Sequence, residues 1–323
     1  MESFNFFVSV IMPVHNRFDL VNESIQSVYE QTHRPIELII VDDLSDELFT
    51  PKVSSGPGFE VKVIRHEENK GPGASRETGR QAATGDFITY LDSDDLWHPQ
   101  FFEKVVITLQ SHPEAGMCYC KTALFSDPEK IDLKNLRSRN DQSFDSIIPT
   151  LFYGRPWSTS ACLWTKNASN LIGPWFPGWS WEDREYEYRA GVKKIKICHV
   201  PEVLCYVREN ECVERLSKVN ENRAALKRFD SIVAIGSTIF SNKNLIDRET
   251  KSLFTIKVFR PLLIQLFDIK EYEKARIISE EMLVISPKFS KIWLFSMALR
   301  LFLFFPKKFM NKQLFKKLWI HLT

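Results

Sequence analysis

The sequence lacks the features that mark several large protein classes. It has no run of about 18 consecutive apolar residues, the length that a membrane-spanning helix needs. Its net charge of +2 over 323 residues gives no reason to expect nucleic acid as the main partner. Neither the phosphate-binding pattern GxxxxGK[ST] nor the dinucleotide-binding pattern GxGxxG occurs. Helical membrane proteins, P-loop nucleotide hydrolases and NAD-dependent dehydrogenases are therefore disfavoured.

Cysteine is sparse and irregularly spaced, with six in the whole chain. Cys118 and Cys120 are too close to form a CxxC redox or zinc pair, so we expect small buried hydrophobic side chains there. The first ten residues, MESFNFFVSV, lack the basic segment of a signal peptide. We therefore expect reduced thiols and a cytoplasmic location.

The carboxyl-terminal residues come nearest to a membrane segment. The apolar run at 292–305 is interrupted by Arg300, and the residues from Pro306 onward contain five lysines and no acidic residue. A tail of this kind, 292–323, suits a helix lying on an anionic lipid surface, which would make the protein peripheral on the inner face of the membrane. It suits equally a terminal helix packed on its own domain.

Strand-forming and helix-forming segments alternate over the first 112 residues. Continuous apolar runs are typical of parallel strands covered on both faces, and helical spacing of apolar residues separates them. The alternation predicts an α/β fold with a mostly parallel, Rossmann-like sheet, flanking helices and right-handed crossovers. Strands are predicted at 6–14, 36–43, 61–66 and 87–95, and helices at 19–31, at 73–85 (closed by Gly85) and at 99–112.

The pattern weakens beyond residue 115 and becomes helical after about residue 215. A strand is predicted at 115–125, a loop at 126–145, and a strand, turn and short helix at 158–176. We therefore predict an α/β domain at 1–213 and a helical carboxyl-terminal region at 214–323 that ends in the basic amphipathic tail.

Polar side chains follow three of the predicted strands. They lie at Pro13 to Asn16, at Asp42 and Asp43, and at Asp92 to Asp95. In open α/β sheets, ligands bind beyond the carboxyl ends of the strands, so these tips converge if strands 1, 2 and 4 are neighbours. Because clustered carboxylates are costly without a cation, the pattern predicts a divalent metal and a ligand that carries phosphates.

The motif Asp92-Ser93-Asp94 could belong to several kinds of site. A calcium loop of the EF-hand type would need a ligand and a glycine where Leu96 and Trp97 stand. An aspartyl phosphatase would normally carry its Asp-x-Asp after the first strand rather than the fourth. A nucleotide-sugar site remains, in which the motif holds a metal that bridges two phosphates. The structural alternative is that these residues cap the next helix.

Four segments in order carry a resemblance to a known family. VSVIMPVHNR, IELIIVDDLSDE, NKGPGASRETGRQAATGDFITYLDSDD and WEDREYEYRAG together resemble the family-2 inverting glycosyltransferases with the GT-A fold, over about residues 6–208. The resemblance implies transfer of a sugar from a UDP-sugar donor to an acceptor hydroxyl, with Mn²⁺ or Mg²⁺. The acceptor would be a saccharide or a lipid-linked one, in cell-surface polysaccharide or glycolipid assembly.

The resemblance also implies roles for individual residues. Asp43 would accept a hydrogen bond from the uracil imide, Asp94 would bind the metal directly, and Asp92 would contact the ribose or the metal shell. Arg76 would lie near the phosphates. The donor-binding set as a whole is Pro13, Val14, Asn16, Asp43, Asn69, Arg76, Asp92 and Ser93.

On the acceptor side, the resemblance implies Glu182, Trp181 and, as general base, Asp183. An acceptor hydroxyl must lose its proton as it attacks, and a carboxylate within reach provides about 10²–10⁴-fold in rate. Attack from the face opposite the leaving group inverts the anomeric carbon. The alternative for Glu182 and Asp183 is a solvated helix start, and Trp179 and Trp181 could stack on a sugar or belong to the core.

Two departures from the family pattern concern the donor and the metal. His15 stands where an aromatic residue often follows the Pro-Val pair, which loosens the expected stacking on uracil. Asn210 stands where the family often has a histidine, so the third metal ligand is open. His199 is a weak substitute, since a packed strand histidine is the more ordinary interpretation.

Two functions of other classes compete with the transferase. A sugar-1-phosphate nucleotidyltransferase would carry a glycine- and arginine-rich loop after strand 1, and MPVHNRFDL lacks one. A non-catalytic nucleotide- or sugar-binding module would not need Asp43, Asp92, Asp94 and Asp183 together.

Overall fold

A computed structural model describes residues 6–137, 144–209, 221–242 and 246–285. The chain divides into two compact units, Met1–Val213 and Glu214–Thr323. The predictions made for the tail at 292–323, for Cys212 and for Asn210 lie outside the described residues.

The first unit is built on one eight-stranded sheet. The strands β1, β2 and β4 are buried along their whole length apart from Pro13, which is half-buried, as continuous apolar runs predict. The strands are β1 (Val8–Val14), β2 (Ile36–Asp42), β3 (Phe59–Arg65), β4 (Phe87–Tyr90), β5 (Leu96–Trp97), β6 (Ala115–Phe125), β7 (Cys162–Thr165) and β8 (Lys196–Arg208).

The strand order is β3-β2-β1-β4-β7-β6-β8-β5. The first four strands are parallel, so the predicted adjacency of strands 1, 2 and 4 is confirmed. β7 then runs antiparallel to both β4 and β6, while β6 and β8 are parallel and β5 is antiparallel to β8. The sheet is therefore Rossmann-like in its first half and mixed in its second, which is a GT-A-like arrangement.

Six helices in the described part of the first unit flank the sheet. They are α1 (Phe18–Tyr29), α2 (Pro72–Ala82), α3 (Phe101–Ser111), α4 (Thr150–Tyr153), α5 (Lys166–Ile172) and α6 (Glu182–Val192). The prediction that Gly85 closes α2 is wrong, because the helix ends at Ala82. Gly85 instead packs against β1, where an added Cβ would lie 2.6 Å from the carbonyl oxygen of Phe7.

The second unit is helical in its described residues, as predicted after about residue 215. Its helices are α7 (Glu221–Ser241), α8 (Arg248–Phe254), α9 (Arg260–Asp268) and α10 (Tyr272–Ile285). A π-helical turn, Thr255–Phe259, joins α8 to α9 without a break. Pro261 explains this wider turn of the helix, because a proline ring within a helix clashes with the carbonyl group four residues earlier.

The five described cysteines, Cys118, Cys120, Cys162, Cys198 and Cys205, are free and buried, as expected for small core side chains. Burial raises the pKa of Cys120 to about 12. Among the described residues, no helix is both long enough and apolar enough to cross a membrane.

Candidate active site

The turns after β1 and β2 are joined by polar contacts. Asn16 donates its backbone N–H to Ser45 Oγ at 2.8 Å, and its carboxamide oxygen accepts the N–H of Asp46 at 2.9 Å. Asn16 and Arg17 both have positive φ, at 59° and 57°. Asparagine is one of the few non-glycine residues that adopt this region readily. The predicted donor residues Pro13, Val14 and Asn16 therefore end in a rigid turn at the carboxyl edge of the sheet.

Asp43 organises the loop that leads into α2. Its carboxylate is 4% exposed and accepts three hydrogen bonds, from the backbone N–H groups of Lys70 (2.9 Å) and Gly71 (2.7 Å) and from His66 Nδ1 (2.7 Å). A carboxylate has about four acceptor positions, so these bonds leave about one for a ligand. The contact of Asp43 with uracil stays a prediction. Its bonds to Lys70 and Gly71 hold the loop that leads into α2.

Asn69 and His15 meet above this loop. Asn69 Nδ2 lies 3.3 Å from His15 Nε2, and His15 Nδ1 lies 3.0 Å from the carbonyl oxygen of Asp43. The residue that departs from the family pattern thus contacts two of the predicted donor-binding residues. The sequence alone predicts only the loss of a stacking partner at His15.

Arg76 joins the β4 tip to the start of α6. It is 4% exposed, and its Nη2 donates to Asp92 Oδ1 at 2.7 Å while its Nη1 donates to Glu182 Oε1 at 2.6 Å. The guanidinium also lies 5.0 Å from the ring centre of Trp175. Burial lowers the pKa of Arg76, but the two carboxylates raise it further, so the side chain stays charged. Two segments predicted to act together, separated by 90 residues of sequence, are therefore in contact.

The acids after β4 have distinct surroundings. Asp92 and Asp94 keep side chains 39% and 20% exposed, and Asp94 Oδ2 lies 3.8 Å from Arg17 Nη1. Ser93, between them, is half-buried. Asp95 is 3% exposed, so burial raises its pKa well above the usual range, and the neighbouring carboxylates add to the rise.

Asp95 has a structural role at this tip. Its oxygens accept the Ser160 hydroxyl at 2.7 Å and the backbone N–H of Arg208 at 3.2 Å, and these bonds tie the tip to the turn before β7 and to the end of β8. The capping alternative for Asp92, Asp94 and Asp95 is wrong, because α3 begins only at Phe101 and β5 intervenes.

Asp183 lies on the first turn of α6 in a cluster of charges. Its Oδ2 accepts Arg155 Nη1 at 2.7 Å and the Thr159 hydroxyl at 3.0 Å, and its Oδ1 accepts the N–H of Arg184 at 2.7 Å. Burial raises the pKa of Asp183, but Arg155, Arg184 and Arg76 outweigh burial and hold the pKa well below the usual range. Asp183 is therefore ionised at neutral pH and 21% exposed.

Glu182 differs sharply from its neighbour. It is 6% exposed, and burial raises its pKa to about 7 against the opposing effect of Arg76. The interpretation of Glu182 and Asp183 as a solvated helix start is therefore wrong, because one is buried and both are bound by arginines. The two predicted tryptophans lie outside the core. Trp179 is 42% exposed and packs on Gly71. The Arg184 guanidinium lies 5.3 Å from the ring centre of Trp181. Stacking on a sugar stays a prediction for both.

The β4 tip fits a cation that is held partly by a ligand. Among the described residues, no group of three His, Cys, Asp or Glu side chains could hold a metal alone. Magnesium-type sites commonly use one or two carboxylates together with substrate phosphates, and the partly exposed Asp92 and Asp94 suit that mode. His199 is a packed strand residue, stacked on Tyr119 at 4.5 Å between ring centres. Nine residues of strand, roughly 30 Å, separate it from the Arg208 end, so it is not the missing ligand.

Two arginines of the site were not predicted from the sequence. Arg155 contacts Asp183, and the Nε of Arg208 donates to the carbonyl oxygen of Asp94 at 3.0 Å. A signal for Arg155 existed in the density of acids in WEDREYE, because buried carboxylates need a cation from elsewhere in the chain. Nothing in the segment around Arg155 marks which cation that is.

Comparison with known sequences gives a family match over part of the chain. The sequence model described as Glycosyl transferase family 2 matches residues 9–163. An uncharacterised glycosyltransferase of Haemophilus influenzae is 37% identical over 112 residues, which are 35% of this chain and 37% of the relative. The Escherichia coli UDP-Glc:alpha-D-GlcNAc-diphosphoundecaprenol beta-1,3-glucosyltransferase WfgD is 38% identical over 93 residues, 29% of this chain and 37% of the relative. These matches span about a third of the curated relatives' length.

Solved structures give the fold. TarS 1–349 of S. aureus has a TM-score of 0.69 at 14% identity, with 97% of this chain and 91% of that chain covered. Mannosyltransferase PcManGT of Pyrobaculum calidifontis has a TM-score of 0.54 at 15% identity, with 99% and 86% covered. At these identities the likeness establishes the GT-A-like architecture alone. Residues 9–163, just under half of the chain, match the model of glycosyl transferase family 2, which confirms for that segment the resemblance predicted from the sequence.

Proposed function

We propose that the protein is an inverting, UDP-sugar-dependent hexosyltransferase that builds a cell-surface polysaccharide or glycolipid. The observation that carries the proposal is the double contact of Arg76, with Asp92 at the β4 tip and with Glu182 beside Asp183. A donor site and an acceptor site must be adjacent for a sugar to pass directly between them. Arg76 connects the acids that the family resemblance assigns to these two sites.

The donor half of the proposal uses the first four strands. Asp43 and Asn69 would meet the nucleobase side, and Asp92, Ser93 and Asp94 would meet the ribose and the diphosphate. A Mn²⁺ or Mg²⁺ ion held by Asp94 and Asp92 would offset the charge that grows on the departing diphosphate. The remaining chemistry belongs to side chains of the chain itself.

The acceptor half uses Asp183 as general base. Its low pKa keeps it ionised, so it is ready to take the proton of an acceptor hydroxyl held near Trp181 and Glu182. The hydroxyl oxygen then attacks the anomeric carbon from the face opposite the diphosphate, and the configuration inverts. Because Glu182 is buried and bound to Arg76, it serves this step by position rather than by taking the proton.

Similar proteins support the proposed substrate classes. WfgD acts with UDP-Glc on a diphosphoundecaprenol-linked sugar, TarS has been solved with UDP and with UDP-GlcNAc, and PcManGT has been solved with GDP-Man and Mn²⁺. A lipid-linked acceptor agrees with a cytoplasmic protein whose tail at 292–323 lies on the inner face of the membrane. Tail removal is then expected to reduce binding to anionic vesicles without changing UDP binding.

The first experiment tests the donor and the cation. The protein is incubated with a panel of UDP- and GDP-sugars, with and without Mn²⁺, and nucleotide release and thermal stabilisation are followed. We expect stabilisation by UDP plus Mn²⁺ that is lost in Asp94→Asn and retained in Asp145→Asn, a control whose carboxylate is 83% exposed. Release of pyrophosphate rather than UDP would indicate a nucleotidyltransferase. Stabilisation by GDP but not by UDP would refute the proposal that the donor nucleotide is uridine diphosphate.

The second experiment tests the base and the stereochemistry. Asp183→Asn is expected to bind UDP normally and to lose about 10²–10⁴-fold in kcat. The anomeric configuration of the first-formed product, read by proton NMR, is expected to be opposite to that of the donor. Normal transfer by Asp183→Asn would remove the proposed base, and a retained configuration would remove direct displacement.

A further inference from the structure

Arg155 lies between two carboxylates of α6 that are one helical turn apart. Its Nη1 donates to Asp183 Oδ2 at 2.7 Å, while its Nε donates to Glu187 Oε1 at 3.0 Å and its Nη2 contacts the same oxygen. The side chains of Arg155 and Glu187 are 6% and 4% exposed. Two like charges at i and i+4 repel, so Arg155 makes this arrangement of acids stable.

Glu187 fixes the segment that carries Arg155. Its Oε1 also accepts the indole N–H of Trp157 at 2.8 Å, and Trp157 is 1% exposed. The segment from Arg155 to Trp157 is therefore bound to α6 at both ends. Although burial raises the pKa of Glu187, these donors favour its ionised form.

The contacts determine which oxygen of Asp183 can take a proton. Oδ2 already accepts two hydrogen bonds, from Arg155 and from Thr159, which fill its two lone-pair positions. Oδ1 accepts one bond, from the backbone N–H of Arg184, and has one position left. The bond from Arg155 therefore fixes the rotation of the carboxylate and leaves Oδ1 as the oxygen with an acceptor position to spare.

We propose that Arg155, anchored by Glu187, is a positioning residue that orients Asp183 and keeps it ionised for the transfer step. The proposal rests on the proposed function, in which Asp183 is the base. Arg155 lies within the matched segment 9–163, but it is not among the donor-binding or acceptor-side residues that the resemblance implies.

The charge balance of the step explains why two acids share one arginine. In the step, the acceptor O–H bond breaks, the oxygen forms a bond to the anomeric carbon, and the bond from that carbon to the diphosphate breaks. The proton goes to Asp183 Oδ1, and the electron pair leaves with the diphosphate. The three groups Arg155, Asp183 and Glu187 then change from a net charge of −1 to zero. Without Glu187, the same proton uptake would leave Arg155 as an uncompensated buried cation, which is costly.

The other charges that act on Asp183 come from several elements. Arg184 follows it on α6, Arg76 reaches it from α2, and Glu182 precedes it. Arg137, after β6, is also within its electrostatic influence. Arg155 is the first of the arginines in lowering the pKa of Asp183, so its removal is expected to raise that pKa while Arg184 and Arg76 remain.

The test uses two variants and a matched control. Arg155→Lys keeps the charge but loses the planar fork, and Arg155→Gln combined with Glu187→Gln removes both charges without leaving a buried ion unpaired. Arg189→Lys is the control, because Arg189 pairs with Glu185 on the same helix at 2.7 Å without contacting Asp183. We measure kcat, the KM for the UDP-sugar and the pH dependence of kcat/KM.

Both Arg155 variants are expected to lose about 10- to 100-fold in kcat with little change in the donor KM. In the double variant the acidic limb of kcat/KM is expected to move to higher pH, because Asp183 loses the first of the charges that hold its pKa down. Arg189→Lys is expected to behave like the wild type in both measurements. Folded Arg155 variants with wild-type kcat and an unmoved acidic limb would overturn the inference.

Two further results separate this inference from the proposed function. If Asp183→Asn is inactive while the Arg155 variants are normal, only the role of Arg155 falls. If Asp183→Asn is fully active, the base assignment falls and the positioning role falls with it. Without substrate, Asp183→Asn is expected to lower Tm less in the double-variant background than in the wild type, and equal losses would refute the coupling itself.

Discussion

Replacing Arg76 with methionine removes the contact that joins the two halves of the candidate site. Two charge-assisted hydrogen bonds are lost, at 2.6 and 2.7 Å. Asp92 is 39% exposed and regains water, so its share of the loss is about 0–1 kcal/mol. Glu182 is 8% exposed at its side chain and is left as a buried acid without its cation, which costs about 3–5 kcal/mol. We therefore expect the free energy of unfolding to fall by about 3–6 kcal/mol at pH 8.

The loss has a pH signature. The pKa of Glu182 is already about 7, and it rises further when Arg76 is removed, so the acid becomes neutral as the pH falls. Because a neutral acid is cheaper to bury, the loss is expected to shrink by about 1 kcal/mol in total between pH 8 and pH 6, since wild-type Glu182 also takes up a proton near pH 7. Arg76→Met combined with Glu182→Gln is expected to recover most of the stability at pH 8.

Urea unfolding followed by tryptophan fluorescence is a suitable assay, since six of the eight tryptophans lie in Met1–Val213. Arg80→Met is the control, because Arg80 lies on the same helix and binds Glu77 at 2.7 Å with both side chains 15% exposed. We expect the control to cost less than about 2 kcal/mol. A loss below about 1 kcal/mol for Arg76→Met, or a loss that does not change with pH, would refute the reasoning.

Three further predictions concern packing, pH and thiols. Gly73→Ala is expected to destabilise the first unit by several degrees in Tm, because the new Cβ would lie 2.1 Å from the backbone oxygen of Phe176; an unchanged Tm would contradict this close packing. The stability that ionised Asp183 contributes is present above its ordinary pKa of about 3.9 and is lost as the pH falls toward its lower folded pKa. The Tm difference between the wild type and Asp183→Asn is therefore expected to be larger at pH 6 than at pH 3.5, and a difference that grows toward acid would contradict the assignment. The five buried cysteines are expected to react with a thiol reagent only after unfolding, and rapid labelling of Cys120 in the native protein would show that its strand opens.

The first half of the sheet could be predicted because its sequence signals are local. A strand that is buried on both faces is mostly apolar, and β2, Ile36–Asp42, is buried in every residue and apolar except at Glu37 and Asp42. The polar residues at the strand ends then follow from where parallel strands end. Helix ends were predicted less well. α2 ends at Ala82, and Gly85 packs against β1, a long-range contact that local sequence patterns do not predict.

The interior of the candidate site could be predicted only in part. The acids of α6 were identified from the resemblance, but their different ionisation follows from burial and from arginines far away in sequence. Glu182 and Asp183 are adjacent, yet burial raises the pKa of Glu182 against the opposing effect of Arg76. The pKa of Asp183 is lowered in spite of burial, because Arg155 and other arginines outweigh it. Long-range pairs such as Arg155 with Glu187 have no sequence period, so a single sequence cannot reveal them.

The bridge formed by Arg76 constrains how such chains can be recombined. The match to the family ends at residue 163, whereas one of the two acids that Arg76 holds stands at position 182. A chimera that grafts residues 9–163 onto a foreign carboxyl-terminal half would leave this arginine without its buried counterion unless the new half brings its own. Across natural homologues, positions 76, 92 and 182 are therefore expected to be exchanged as a set.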